Sequence, residues 1–67
     1  MNMYDNVYDP EVKAGSLLRT TGYSILYKPG EFALVLSVAP CRTYARVLLT
    51  GHSRPIRLGP FHAELAS

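Results

Sequence analysis

The chain has 67 residues, with a single cysteine, two histidines and a formal net charge of +2. A chain of this length forms one domain and buries only about 60% of its unfolded surface. One cysteine excludes a disulfide within the chain, and small domains without disulfides are commonly supported by a metal or a partner. We therefore expect a partner subunit.

The charge is unevenly distributed along the chain. The first twelve residues carry three carboxylates and no basic side chain, which gives −3, and the remaining residues carry seven basic side chains against two acids, which gives +5. We divide the chain into an acidic N-terminal arm, residues 1–14, and a basic body, residues 15–67. The arm could lie on a basic patch of a neighbouring copy, or the split could be ordinary surface charge.

The arm shows little local structure in its sequence. Residues 1–8 have no burial pattern, so they precede any predicted core. Asp9 suits a helix N-cap, Pro10 the first helical position and Glu11 the first turn. Gly15 then ends the segment, which predicts at most one helical turn.

The body contains short apolar runs separated by turn signals. We predict extended segments at residues 16–20, 23–27, 32–39, 43–50 and 54–58. The four residues from Lys28 to Glu31 form the clearest turn, with Pro29 and Gly30 placed as a type II turn requires. The last residues predict either a 3₁₀ turn with a final strand or one helical turn.

Alternation along these runs predicts the core. In the 32–39 run, one face holds Phe32, Leu34, Leu36 and Val38, and the other holds Ala33, Val35 and Ser37. A strand that is apolar on both faces is central or covered on both sides. In the 43–50 run the predicted core residues are Ala45, Val47 and Leu49. Pro55 suits an edge strand, since proline cannot donate to the ladder.

The predicted fold class is all-β: a small SH3-like five-stranded barrel with an extended N-terminal arm. Five short strands with turn signals every 8–12 residues support it. Closure of the barrel would remove the exposed strand edges that a short chain cannot easily protect. An OB-like barrel is the less favoured alternative, because it usually needs a longer chain.

Several short motifs resemble a known family. They are Gly15-Ser-Leu-Leu-Arg19, Leu34-Val-Leu-Ser37, Arg46-Val-Leu-Leu49, Gly51 and Glu64-Leu65. Together they resemble small SH3-like proteins encoded by tailed bacteriophages, over residues 15–65, although Ser16 replaces an acid and Leu49 an aromatic residue. The resemblance implies the fold and a viral source, and some members of the family look like virion or accessory proteins.

No catalytic or cofactor motif is visible in the sequence. Cys41, His52 and His62 are spaced unlike the ligands of a zinc site, and no glycine-rich phosphate loop occurs. We expect no enzyme activity, no cofactor and no metal. The chain has neither a basic leader followed by an apolar run nor a stretch long enough to span a bilayer. We therefore expect a protein of the virion or host cytoplasm, neither secreted nor membrane-bound.

Two groups of residues are candidates for binding a partner. The basic group comprises Arg42, Tyr44, Arg46, Arg54 and Arg57, and the arm group comprises Tyr4, Asp5, Val7, Tyr8 and Asp9. Arginine pairs with carboxylates in protein interfaces, and tyrosine offers rigid area with a polar end. The same arginines could instead neutralise phosphates while Tyr44 stacks on a base.

The sequence thus favours a non-enzymatic assembly protein. The main hypothesis is a phage virion component, such as a capsid decoration or cement protein or a neck or tail protein. It would bind protein subunits, either its own copies or another virion protein, through the arm and the arginine surface. The alternative is a small nucleic-acid-binding module or phage regulator that uses the basic face. A small oligomeric enzyme is a third possibility, for which the sequence offers no site.

Overall fold

The computed structural model describes residues 7–66 and shows five antiparallel strands curled into a half-barrel of SH3-like size. The strands are β1 (Leu17–Thr20), β2 (Phe32–Val38), β3 (Ala45–Leu49), β4 (Ile56–Leu58) and β5 (Ala63–Leu65). They form one sheet in the order β4-β3-β2-β1-β5. A 3₁₀ turn, Pro60–His62, leads into β5. The all-β prediction is confirmed, as are the central place of β2 and the edge position of β4.

The sheet is open, contrary to the predicted closure. Among the strands of the described residues, β4 pairs only with β3, and β5 pairs only with β1. Both edge strands have three residues. The half-barrel therefore has an inner face, an outer face and two edges.

The core lies on the inner face and follows the period-two alternation of the strands. Its strand residues are Leu18, Ala33, Val35, Ala45, Val47, Leu49 and Leu58. The prediction of Ala45, Val47 and Leu49 as core is confirmed. Burial of a large aliphatic side chain stabilises the fold by about 1.5–3 kcal/mol, so the total hydrophobic stabilisation from these few residues is small. Tyr8, Val12 and Tyr27 enlarge the same cluster from outside the sheet.

A β-bulge changes the face of the residues at the end of β2. The register shifts between Val35 and Ser37, so that Ser37 lies opposite Arg46 and Val38 lies opposite the buried Ala45. Val38 packs against the core and Ser37 is exposed. The predicted faces of these two residues are wrong, because a bulge adds one residue and reverses the alternation after it.

The segment before β1 differs from the sequence prediction in two ways. It forms two successive β-turns rather than a helical turn: Val12 N donates to Asp9 O at 3.0 Å, and Ser16 N donates to Lys13 O at 2.9 Å. The expectation that the arm precedes any core is also wrong, because Tyr8 and Val12 are 5% and 4% exposed. The side chains of Tyr8 and Val12 thereby cover part of the inner face.

Residues 23–27, predicted as extended, belong to a loop between β1 and β2. The loop is held at its base by Thr20, a buried hydroxyl that donates to Lys28 O and accepts from Glu31 N at 2.9 Å. Gly30 has φ of +90°, as the second central residue of the predicted type II turn requires. The aromatic and aliphatic residues of this segment resemble those of a strand, but Tyr23, Ile25 and Leu26 are exposed.

Tyr8 connects the N-terminal segment to the far end of the sheet. Its hydroxyl donates to Leu58 O at 2.7 Å. Burial raises the pKa of Tyr8 to about 12 from the ordinary value of 10.0, with a smaller contribution from Tyr27. The folded chain thus holds this proton more tightly than the unfolded chain. Stability from this group is complete below pH 10 and is lost as the pH rises towards 12.

We expect Tyr8→Phe to lower the free energy of unfolding by about 1 kcal/mol at pH 7, the usual value of one hydrogen bond. The stability of the wild type should fall between pH 10 and 12, and that of the variant should fall much less. The fall that remains in the variant would come from Tyr27. Urea unfolding at several pH values measures both effects. Tyr23→Phe, at an exposed position, is the matched control, and an equally steep alkaline decrease in the Tyr8 variant would contradict the assignment.

Candidate interaction surface

The outer face of the sheet carries a continuous group of apolar side chains. Leu34 on β2 lies directly opposite Leu17 on β1 and Leu48 on β3. Phe32 and Leu36 extend the group along β2, and Phe32, Leu34 and Leu36 are each 40–43% exposed. We call these five residues the leucine face. Single exposed apolar residues are common on proteins, but a contiguous patch marks an interaction site.

Cationic side chains border the leucine face on both sides. The guanidinium of Arg19 lies 5.7 Å from the ring centroid of Phe32, and that of Arg57 lies 4.7 Å from the ring centroid of Tyr44. Both distances are within the range of a cation–π interaction, which holds each flexible arginine against a rigid ring. The arginines are therefore positioned before any partner arrives.

The electrostatics of this border favour an anionic partner. Arg46 on β3 lies directly opposite Arg57 on β4, and both side chains are exposed. Like charges at directly opposed positions of an antiparallel pair destabilise the sheet. A carboxylate or phosphate placed between the two guanidinium groups would remove this repulsion. The three predicted residues Tyr44, Arg46 and Arg57 are thus brought together by the structure.

Arg42 has a different place from the other arginines. It lies in the β2–β3 turn, where its N–H donates to Ala39 O and its φ is +60°. Its side chain donates to the carbonyls of Tyr8 at 3.1 Å and Val12 at 2.7 Å, and also to that of Asp9. Its own carbonyl accepts from Tyr8 N at 2.8 Å. The guanidinium is thus committed to the N-terminal segment of its own chain.

The remaining predicted partner residues are dispersed. Arg54 is exposed in the loop before β4, and Val7 is half-buried beside Tyr8. Asp9 is exposed, although its carbonyl is bound by Arg42. Tyr4 and Asp5 lie outside the described residues.

Sequence reasoning missed the leucine face as a site. Its signal was present, because β2 is apolar on both faces and a strand of that kind requires a cover on each side. Within residues 7–66 only the inner face of β2 has such a cover.

The tip of the loop between β1 and β2 carries a second set of exposed apolar side chains, Tyr23, Ile25 and Leu26.

The turn between β2 and β3 carries a free cysteine, Cys41. Cys41 is exposed, and its hydrogen bond with the Thr43 hydroxyl, at 3.0 Å, lowers the pKa of the thiol. Within residues 7–66 no group of three His, Cys, Asp or Glu side chains could hold a metal ion. The same part of the chain contains no helix long and apolar enough to cross a bilayer.

Comparisons of this chain with protein-family models, with curated proteins and with solved structures find no match.

We expect Arg42→Ala to lower the free energy of unfolding by about 2–3 kcal/mol, because hydrogen bonds from a charged donor to three carbonyls are lost. Arg42→Gly should be milder by up to about 1 kcal/mol, since glycine accepts a positive φ without strain. Arg42→Lys should not restore stability, because an ammonium lacks the planar fork.

Urea unfolding of these variants beside Arg54→Ala tests the role of Arg42. The exposed Arg54 should change stability by less than about 0.5 kcal/mol. Equal effects of the two alanine variants would refute a structural role for Arg42.

Proposed function

We propose that this chain is a non-enzymatic assembly protein that binds other protein subunits through the outer face of its sheet. The observation that carries the proposal is the leucine face, which is contiguous, exposed and bordered by positioned arginines. Protein interfaces combine an apolar centre with a polar rim, and arginine and aromatic residues are enriched in them. The outer face has this composition.

The chemistry of the outer face describes its partner. A complementary surface would place apolar side chains against Leu34 and Leu48 and carboxylates against Arg46 and Arg57. Arginine binds a carboxylate through two parallel hydrogen bonds, so this contact would fix the orientation of the two subunits. Covering both faces of β2 would also give this small domain the additional support that its core requires.

The resemblance of the short motifs to those of small SH3-like proteins of tailed phages suggests where such assembly would take place. We place the chain in the virion, as a capsid decoration or cement protein or as a neck or tail component. Tyr8 and Arg42 were predicted to bind a partner, but both side chains form hydrogen bonds within their own chain. The arm would therefore contribute through the residues before Tyr8. Tyr4 and Asp5 remain candidates for contacts with a neighbouring subunit.

The alternative is a nucleic-acid-binding module or regulator, favoured by one observation, the opposed pair Arg46 and Arg57. Together with Arg54 these side chains could neutralise adjacent phosphates. Two features favour a protein partner instead. Arg57 already covers one face of the Tyr44 ring, which reduces the surface available to stack on a base. A phosphate backbone would also leave the leucine face uncovered.

Incorporation into particles tests the main proposal. The double variant Leu34→Thr/Leu48→Thr places β-branched residues in the strands and removes two adjacent leucines of the leucine face. We expect it to fold, with a circular dichroism spectrum like that of the wild type, and to be absent from virions of the virus that encodes it. Quantitative mass spectrometry of purified virions provides the measurement.

The matched control for this experiment is Ile25→Thr/Leu26→Thr, which makes the same chemical change in the exposed loop. It should be incorporated as the wild type is. Absence of the wild-type chain from purified virions would sink the virion proposal, and normal incorporation of the Leu34/Leu48 variant would show that the leucine face is not the binding surface.

Binding to a generic 20-nucleotide DNA or RNA over a salt series tests the alternative. If the chain assembles with protein, we expect no binding even at low salt. Micromolar binding that falls steeply with salt would favour the nucleic-acid function, since released counterions dominate such affinity. In that case Arg46→Ala/Arg57→Ala should weaken binding to all sequences alike.

A further inference from the structure

The outer face of the sheet is arranged in rows that change from apolar to cationic along the strands. One row crosses three strands as Leu17, Leu34 and Leu48, and we call it the leucine row. Two residues before Leu48 on β3, Arg46 lies opposite Arg57, and we call this pair the arginine row. Side chains two residues apart on a strand share a face and are about 6.6 Å apart. An occupant of this face therefore needs apolar side chains and a carboxylate at that spacing.

The first six residues of the chain carry side chains of this kind in this order. Residues 1–6 are Met-Asn-Met-Tyr-Asp-Asn. In an extended segment Met1, Met3 and Asp5 would share one side, because alternate residues of an extended chain point the same way. Methionine adapts its shape to irregular apolar surfaces. The segment thus offers two adaptable apolar side chains and one carboxylate with the same period as the rows.

We propose that residues 1–6 of one copy lie extended on the leucine face of a second copy, which covers the first copy in the same way. Met3 would contact the leucine row, and Asp5 would contact the arginine row. Met1 would extend the apolar contact towards Phe32. Such a reciprocal exchange closes a symmetric dimer. The inference rests on the proposed function, because it names one occupant of the same face.

The charge of the outer face favours this occupant. Arg46 and Arg57 repel each other at directly opposed positions, and a carboxylate between their guanidinium groups removes the repulsion. Residues 1–6 contain Asp5 and no lysine or arginine, so their side chains bring only the opposite charge to the arginine row.

The place where the described chain begins favours a second copy over the chain's own sheet. Tyr8 is buried in the core on the inner face, and its N–H donates to Arg42 O in the β2–β3 turn. The arm therefore starts on the side opposite the leucine face and at the far end of β2 from Phe32. Six extended residues span at most about 20 Å, whereas the seven residues of β2 alone span about 23 Å. An arm that must first pass round its own sheet is too short to bring Met1 to Phe32.

Self-association of the full chain tests the proposal. Sedimentation velocity at concentrations up to about 1 mM should show a monomer–dimer equilibrium, with a weak affinity because the contact is small. Asp5→Arg should weaken the association at least about tenfold, since it brings like charge to the arginine row. Glu11→Arg makes the same change of charge at an exposed position and is the matched control, which should associate as the wild type does.

An exchange of charge between the arm and the face tests the contact itself. Asp5→Arg and Arg46→Glu/Arg57→Glu should each form little dimer alone. An equimolar mixture of the two variants should form a heterodimer, because each arm then meets the opposite charge on the other chain. A chain with all three substitutions should associate as the wild type does, which would also show that the face variant folds.

The outcomes separate this inference from the proposed function. A chain that stays monomeric up to about 1 mM, or a dimer that Asp5→Arg leaves unchanged, would overturn the arm contact. A mixture without heterodimer would also overturn it, as an arm that covers its own sheet predicts. Incorporation into virions through Leu34 and Leu48 would stand in each of these cases. Conversely, an arm-dependent dimer of a chain that is absent from virions would support this inference and refute the virion proposal.

Discussion

The guanidinium of Arg42 holds the N-terminal segment against the β2–β3 turn, and the integrity of the core depends on this contact. Three carbonyls between residues 8 and 12 converge on one side chain. The side chains they carry, Tyr8 and Val12, cover the inner face where the sheet does not close. Without the hydrogen bonds of Arg42, the open half-barrel would expose its core to water from that side.

The position of Arg42 explains its backbone as well. A residue with φ of +60° is usually glycine or asparagine, and an arginine there stores conformational strain. Such strain persists where the surrounding structure requires the residue. Here the strain is offset by hydrogen bonds from a charged donor to three main-chain carbonyls. The turn thus uses a side chain, rather than backbone freedom, to join distant parts of the chain.

Strand β2 is apolar on both faces of the sheet, and its β-bulge determines where the apolar part of the outer face ends. Beyond Leu36 the outer face becomes polar at Ser37, while Val38 turns inward to fill the core. The bulge therefore ends the leucine face at one side and completes the inner face at the same point. Arg46 lies opposite Ser37, so the change from apolar to cationic surface follows directly from one inserted residue.

Local patterns in the sequence were sufficient to predict β1, β2, β3 and β4, because alternation and turn residues act over a few positions. They were insufficient for Ser37 and Val38, since a bulge reverses alternation without a sequence marker. Tyr8 was misplaced for a different reason. Its burial depends on a hydrogen bond to Leu58, fifty residues away, which no local pattern can indicate.

The candidate site was predicted in part, for similar reasons. Tyr44, Arg46 and Arg57 could be grouped from strand order alone. Arg42 could not be separated from them, because its partners are main-chain carbonyls rather than side chains of recognisable chemistry. The apolar outer face of β2 was noted as a feature of a covered strand, and only the exposure of its side chains shows that the described residues leave it uncovered.

The pairing of β1 with β5 has a consequence for the order of folding. The β2–β3–β4 meander closes short loops, whereas β1–β5 and the Tyr8–Leu58 contact each close a loop of more than forty residues. Long loops close late, because their entropy is lost before their contacts are made. The meander should therefore form the folding nucleus, with the two terminal segments docking last and detaching first. Mutations in β3 would then slow folding, and mutations in β5 would mainly speed unfolding, a distinction that φ-value measurements make directly.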